Sequence, residues 1–284
     1  MARILVAGCG DIGSLTAQRW RSAGHQVVGL RRRIAALPEA IEGIAADLTD
    51  ATSLSVLEGQ LFDLVLVASS AGAFTRQAYQ QVYVDGLVNL LRAVSGKPSW
   101  LLVSSTGVYH QTDGEWVNEE SATCPASFSG QALLRAEQIL ADKAPADYSI
   151  VRFGGIYGPG RTRMLDDVRA GKGCPRSPVQ YTNRIHRNDC AGILDYLGTR
   201  LLASEPVSKL YLGVDKAPAP MWEVRQWIAQ RLELTLDDTL GNLPSRGGNK
   251  RCSNARLLGA GYRFEFPDYR AGYGDLIAAE IGHL

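Results

Sequence analysis

Residues 3–13 read Arg3-Ile4-Leu5-Val6-Ala7-Gly8-Cys9-Gly10-Asp11-Ile12-Gly13. A short, mostly apolar run closes on a GxGxxG spacing, and Ile12, Leu15, Thr16, Arg19, Trp20 and Ala23 then follow at near-helical intervals. In a chain with 30 glycines such a spacing arises by chance, but a buried strand before it and an amphipathic helix after it give it meaning. Gly8 permits the tight turn, Gly10 lets backbone approach a pyrophosphate, and Gly13 lets helix and strand pack closely. Asp11 and Ile12 open a helix whose free N–H groups and partial positive charge face those phosphates. Cys9 reads as a small loop residue rather than a nucleophile. Residues 11–23 are therefore expected to form a helix, with Gly24 as its C-terminal stop.

Further apolar runs recur at Val27–Leu30, Ile41–Ala46, Leu64–Ala68, Trp100–Ser104 and Ser149–Phe153, with helical stretches such as Tyr79–Val94 and Gln131–Leu140 between them. Runs that are apolar throughout indicate strands covered on both faces. Their alternation with helices predicts an α/β chain built on a doubly wound parallel sheet. The nucleotide domain is expected over residues 1–155, with a return at 185–215 that includes a strand near Lys209–Val214. A smaller α/β substrate domain is expected over 156–184 and 216–284.

The second strand ends at Leu30, where a carboxylate would accept hydrogen bonds from a ribose 2′-hydroxyl. Arg31-Arg32-Arg33 stand there instead, and a guanidinium fork suits a 2′-phosphate. This implies NADP(H) as the cofactor, with NAD as the weaker alternative, and places its phosphate and adenosine-ribose site in roughly the first 70 residues. A solvated charge run is the other reading of the three arginines. Asp47-Leu48 closes the third strand, where Asp47 either reaches the adenine amino group or caps the following turn. The small residues Ala68-Ser69-Ser70 end the fourth strand and leave room for the cofactor to lie close.

Lys+Arg 30 against Asp+Glu 29 gives a formal charge of +1, so no field draws in nucleic acid or an anionic membrane. A small-molecule substrate is the expected partner, to a monomer or homodimer. Five scattered cysteines without CxxC spacing suggest neither a disulfide framework nor a zinc site. The strand pattern begins by residue 3, and no apolar run nears the ~20 residues of a membrane helix, so a cytoplasmic protein is expected.

Several motifs together resemble the extended short-chain dehydrogenases/reductases, the NAD(P)-dependent epimerase/dehydratase group with its Rossmann fold. Gly8 to Gly13 resembles the cofactor loop, and Tyr83-Val84-Asp85-Gly86 with Asn89-Leu90-Leu91 resembles the helix after the fourth strand. Val103-Ser104-Ser105-Thr106-Gly107-Val108-Tyr109 resembles the fifth strand, with Ser104 beside the cofactor. Arg152-Phe153-Gly154-Gly155-Ile156-Tyr157-Gly158-Pro159-Gly160 resembles the stretch that passes the nicotinamide, and Asn183-Arg184-Ile185-His186-Arg187-Asn188-Asp189 the segment returning from the substrate domain. The resemblance puts Ser105 on the catalytic Ser/Thr, which hydrogen-bonds the reacting oxygen of the substrate.

Departures from the family pattern bear on the chemistry. Read back from Ala136-Glu137, the YxxxK tyrosine position holds Ser129 and the lysine position holds Leu133. An unassisted serine is too weak an acid for proton transfer at neutral pH, and leucine can neither carry charge nor hold the nicotinamide ribose. Tyr83 also replaces the helix asparagine, Ala7 replaces the first loop glycine, and Thr106-Gly107 replace the Asp-Glu of dehydratases. The pattern is that of an atypical branch.

Candidate proton donors are Tyr109, His110 and Tyr157, each of which could equally serve packing or substrate contact. His186 and Asp189 read either as a dyad or as a junction residue and the cap of a helix starting at Cys190. The acidic loop Gln111–Cys124 reads as a lid or a solvated loop, and Arg161, Arg163 and Arg184 could hold a phosphorylated or nucleotide-linked substrate. Two functional readings follow: an NADP(H)-dependent oxidoreductase or epimerase acting on a small polar carbonyl or sugar nucleotide, or a noncatalytic NADP(H)-binding sensor.

Overall fold

Ile4, Leu5, Val6 and Ala7 are fully buried, which is what a strand covered on both faces requires. In the computed structural model, which describes residues 1–144, 146–237 and 248–281, they form β1 (Arg3–Ala7), the inner strand of a seven-stranded sheet. Residues 238–247 and 282–284 of the predicted 216–284 segment lie outside the described residues. The sheet adds β2 (Gln26–Arg31), β3 (Glu42–Ala45), β4 (Leu64–Val67), β5 (Ser99–Ser105), β7 (Tyr148–Phe153) and β11 (Leu210–Gly213), while β6 (Glu115–Val117) pairs elsewhere. The order is β11-β7-β5-β4-β1-β2-β3, and β1 pairs in parallel with β2 on one side and β4 on the other. The chain thus reverses its winding direction at β1, where the C-terminal strand ends leave a crevice. Each predicted strand is present within a residue or two.

The chain divides into two units, Met1–Val108 with Cys124–Arg152 and Ala191–Tyr211, and Tyr109–Thr123 with Phe153–Cys190 and Leu212–Leu284. In the first, α1 (Asp11–Ser22) packs its Trp20 on β4 and on the small face of α6 (Arg187–Leu202). A Cβ at Gly198 would stand 2.5 Å from Trp20 Cζ2 and 3.1 Å from Leu64 Cδ2, so the helix approaches only because residue 198 lacks one. Gly24 takes φ +88° just past α1, as a helix stop should. On the other face Leu5, Val28, Val65 and Trp100 meet Leu87, Leu90, Ile139 and Leu140.

The predicted helix Tyr79–Val94 is not uniform. It runs as α2 (Arg76–Tyr79), a π-helical segment Gln80–Asp85 and α3 (Gly86–Ala93). Gly86 N–H donates to Gln81 O, five residues back, so the helix widens there. The segment packs against α4 (Phe128–Lys143), which Ser127 caps by accepting from Gly130 N–H at 3.1 Å.

In the second unit β8 (Gly155–Tyr157) runs parallel to β10 (Arg184–His186), and β9 (Tyr181–Thr182) antiparallel to β12 (Ala219–Pro220). Three helices, α5 (Arg163–Arg169), α7 (Met221–Arg231) and α9 (Tyr269–Ile281), supply a core of Leu165, Val168, Val224, Ile228, Tyr269 and Tyr273. The loop Gln111–Cys124 carries β6, which pairs in parallel with β13 (Lys250–Cys252), just before α8 (Ala255–Gly259). It is neither a detached lid nor solvated along its length. The side chain of Glu119 is only 3% exposed; it accepts from Leu212 N–H at 3.0 Å and stands 3.7 Å from Arg256, which also binds Glu120. Among the described residues no helix is long and apolar enough to cross a membrane, and no group of His, Cys, Asp or Glu could hold a metal ion.

Candidate functional site

The turn after β1 is held by the loop's own first three N–H donors, which leaves phosphate binding to the N–H groups of the helix that follows. Gly8 N–H and Cys9 N–H both donate to Leu30 O, at 3.1 and 3.3 Å, and Gly10 N–H donates to Gly8 O at 2.7 Å. Gly8 takes φ +88°, and a Cβ there would strike the backbone of Ser69. At Gly13 a Cβ would lie 2.6 Å from Gly8 O and 3.2 Å from Val6 Cγ1, so this glycine serves helix-to-strand packing. Gly10 is different: a Cβ would meet only Gly8 O, at 3.9 Å. The loop backbone is open on that side, and the N-terminus of the 12-residue α1, with Asp11 and Ile12 in its first turn, follows directly. Such a cradle fits a pyrophosphate.

Cys9 is fully buried beneath the loop, 3.7 Å from Ser14 Oγ, and burial pushes its thiol up, which leaves it neutral and unreactive. Arg31 Nη1 donates to Cys9 O at 3.2 Å and to Ala36 O at 2.9 Å, so one arm of its guanidinium braces the loop. Arg32 is exposed, and its Nη1 stands 3.8 Å from Asp47 Oδ2. A carboxylate is therefore at hand after all, although an exposed pair at this distance contributes little. Asp47 Oδ1 accepts from Thr49 N–H and Oγ1–H, both at 2.9 Å, the geometry of a turn cap. Leu48 is buried, and its carbonyl accepts from Asn89 Nδ2 at 3.0 Å. Ala68 N–H donates to Ala7 O at 2.8 Å, ahead of Ser69 and the exposed Ser70.

At the end of β5 the two serines diverge. Ser104 is buried, and its hydroxyl donates to Glu137 Oε1 at 2.5 Å. Glu137 in turn receives Arg152 Nε at 2.9 Å and Nη2 at 2.6 Å, so the Ser104 hydroxyl is committed to a structural ion pair. Ser105 Oγ accepts from Gly107 N–H at 3.1 Å, which leaves its own proton to be donated. Ser129 lies in the first turn of α4, its Oγ 3.2 Å from Ser127 Oγ. A Cβ at Gly130 would sit 2.7 Å from Gly107 O, so this turn of α4 packs tightly on the end of β5. Beside it Tyr83, on the π-helical segment, accepts a hydrogen bond from Ala71 N–H, and burial pushes its phenol up.

The second unit carries its own polar cluster. Arg184, His186 and Asp215 are each at most 3% exposed. Arg184 Nη2 donates to Thr182 Oγ1, and its guanidinium lies 5.3 Å from the Tyr269 ring centroid, but Nε and Nη1 have no hydrogen-bond partner among the described residues. Asp215 Oδ1 accepts from Ala217 N–H at 3.0 Å while Oδ2 has no hydrogen-bond partner among the described residues, and burial raises its carboxyl to about 7 against the opposing pull of Arg184. Sequence reasoning missed Asp215, for nothing around Val214-Asp215-Lys216 marks a buried acid. Tyr157 stacks on Tyr273 at 4.5 Å over Gly272, and burial raises its phenol far above the ordinary value. His186 Nδ1 accepts from Asn188 N–H at 3.3 Å, and burial lowers its pKa, which keeps the ring neutral.

Other predicted residues have plainer surroundings. Asp189 does not cap a helix at Cys190, because α6 already starts at Arg187. Its carboxylate accepts from Tyr262 Oη–H, Glu265 N–H and Phe266 N–H at 2.8–2.9 Å. Tyr109 is buried with its hydroxyl donating to Asn118 O at 2.7 Å, and His110 is exposed. Phe153 is buried, and Gly154 N–H donates to Gly213 O at 3.1 Å. A Cβ at Gly154 would stand 2.8 Å from Asn183 O, so packing within the unit accounts for that glycine; Gly155 is exposed and Ile156 half-buried. Arg161 and Arg163 are exposed, unlike Arg184.

Known proteins resemble this chain in sequence and in fold. Residues 4–171 match the family model described as the NAD dependent epimerase/dehydratase family. A structure from Methylobacillus flagellatus, named provisionally as an NAD-dependent epimerase/dehydratase, is 37% identical, with 99% of each chain covered and a TM-score of 0.84. Two more distant structures share the fold. A UDP-glucose 4-epimerase of Thermus thermophilus in complex with NAD is 18% identical, covers 99% of this chain and 100% of its own, and has a TM-score of 0.79. A short-chain dehydrogenase/reductase superfamily protein of Agrobacterium tumefaciens with bound NAD is 20% identical, covers 99% and 98%, and has a TM-score of 0.80. No match was found among curated proteins.

Proposed function

Because the chain belongs to the NAD-dependent epimerase/dehydratase family, we propose that it is an NADP(H)-dependent oxidoreductase or epimerase acting on a small polar carbonyl or sugar-nucleotide-like substrate. The observation that carries this reading is the open face at Gly10, where among the described residues a Cβ would meet only Gly8 O, at 3.9 Å, directly ahead of a helix N-terminus suited to a pyrophosphate. Gly8, Cys9, Gly10, Asp11, Ile12 and Gly13 would hold the phosphates. Arg31 and Arg32 would flank the adenosine 2′-phosphate, Asp47 and Leu48 the adenine, and Ala68, Ser69 and Ser70 the middle of the dinucleotide. The bound dinucleotide supplies hydride chemistry at its nicotinamide.

The protein's own part in that chemistry falls to few residues. Ser105 donates its free proton to the reacting oxygen of the substrate and so stabilises charge developing there. Ser129 and Leu133 contribute neither proton transfer nor ribose binding. In the second unit the buried Arg184, whose Nε and Nη1 lack a hydrogen-bond partner among the described residues, favours an anionic or carbonyl group, with Tyr157 and His186 as neutral neighbours. An anionic substrate group would add counter-charge to this buried cation, which Asp215, its carboxyl raised to about 7, opposes only in part at neutral pH.

Calorimetry tests the cofactor. NADP⁺ should bind at least about tenfold more tightly than NAD⁺, a difference of ~1.4 kcal/mol, and Arg32→Asp should erase the gap. Equal or better NAD⁺ affinity in the unmodified protein overturns the preference. Turnover is read as NADPH absorbance over a panel of carbonyls and sugar nucleotides, with Ser105→Ala expected to abolish it.

A further inference from the structure

We infer that Tyr83 is a cofactor-contact residue for the reactive half of the dinucleotide, its hydroxyl donating a hydrogen bond to the nicotinamide riboside. The inference rests on the nucleotide-binding reading above. The strand order supplies its first support. Arg31 and Arg32 end β2, on one side of β1, so a dinucleotide anchored there must run across β1 toward β4 and β5. Tyr83 belongs to that second side. Its oxygen accepts from Ala71 N–H, two residues beyond Ser69, and Ser69 is the residue a Cβ on Gly8 would strike. The phosphate loop and the Tyr83 anchor are therefore parts of one wall.

The helix is locally widened where this phenol stands. Tyr83 sits within the π-helical segment Gln80–Asp85, a high-energy form that persists where a side chain must be aimed. Asn89, less than two turns on, ties the same helix to Leu48 O at the end of β3. Tyr79 lies 5.1 Å from Tyr83 and 5.5 Å from Phe128, the residue before Ser129, so the segment meets α4 where the family's tyrosine would stand. Leu133 of that helix offers no hydrogen bond to a ribose. Because Ala71 N–H occupies a lone pair of the Tyr83 oxygen, the O–H is left to donate, and burial keeps the proton on the phenol at neutral pH. The ring is half-buried, so a ligand can reach it.

Two ligands separate the halves of the cofactor: NADP⁺, and adenosine 2′,5′-diphosphate, which lacks the nicotinamide riboside. Tyr83→Phe should weaken NADP⁺ about tenfold and leave adenosine 2′,5′-diphosphate within about twofold, as the loss of one hydrogen bond requires. Unchanged NADP⁺ affinity, or an equal loss of both ligands, overturns the inference. If the unmodified protein binds neither ligand, the nucleotide-binding reading itself fails. Should Tyr83→Phe fold poorly, 3-fluorotyrosine labelling gives the same answer without it: the Tyr83 fluorine resonance should move with NADP⁺ and stay put with adenosine 2′,5′-diphosphate. Movement with both or with neither refutes it.

Discussion

A methyl group added at Gly10 points into open space, whereas the same group at Gly8 or Gly13 collides with backbone. The consequences should separate cleanly. Gly10→Val is expected to retain wild-type stability in urea and to lose NADP⁺ binding, measured by calorimetry. Gly8→Ala should destabilise by about 1–2 kcal/mol from the left-handed φ alone, before the clash with Ser69 is counted. The turn role of Gly8 and the packing role of Gly13 were legible from spacing because each follows from the strand, turn and helix around it. The commitments of side chains were not. Arg31 braces Cys9 O and Ser104 serves Glu137, both through partners distant in sequence, and Asp215 is buried beside Arg184, 31 positions earlier. Asp215 yields a second prediction. Its carboxyl, raised to about 7 in the fold, lies above its unfolded value, so its contribution is fully present below the unfolded pKa and is lost as pH rises through the folded one. Asp215→Asn should accordingly gain on the wild type by roughly 3 kcal/mol between about pH 5 and pH 8 in denaturant titrations. A constant gap would mean that the carboxyl titrates normally.

The strands were readable because each is a short apolar run with burial on both faces, and the helices α1 and α4 because their apolar stripes are strong. The π-helical segment was hidden, since a single widened turn hardly alters the spacing of Val82, Leu87, Leu90 and Leu91. Between α4 and β7 lies the ion pair of Glu137 and Arg152, both 5% exposed, with Ser104 as third member. Glu137→Gln leaves the buried guanidinium without its counter-charge and should cost about 3–5 kcal/mol in chemical denaturation. Replacing both partners, as Glu137→Leu with Arg152→Met, should recover most of that loss. If the single variant costs no more than the double, the pair is not electrostatically coupled.

For the molecule as a whole, a ligand that binds only the folded chain stabilises it by mass action. NADP⁺ at about a hundred times its dissociation constant should add ~2.7 kcal/mol, seen as a raised thermal midpoint that Gly10→Val abolishes. The doubly wound architecture was legible from the alternation of strands and helices, but the membership of Tyr109–Thr123 in the second unit was not. Its strand β6 pairs with β13, formed by Lys250–Cys252, and no local pattern announces a partner so far along the chain. That pairing has a consequence for biosynthesis. The segments of the first unit have all emerged once Tyr211 leaves the ribosome, while Glu115–Val117 must wait for Lys250–Cys252. A nascent chain therefore carries an unpaired strand, with the exposed Trp116 at its centre, through much of its translation. Asp113, Glu115, Glu119 and Glu120 put negative charge on and beside that waiting strand, the kind of neighbour that disfavours pairing with a wrong companion.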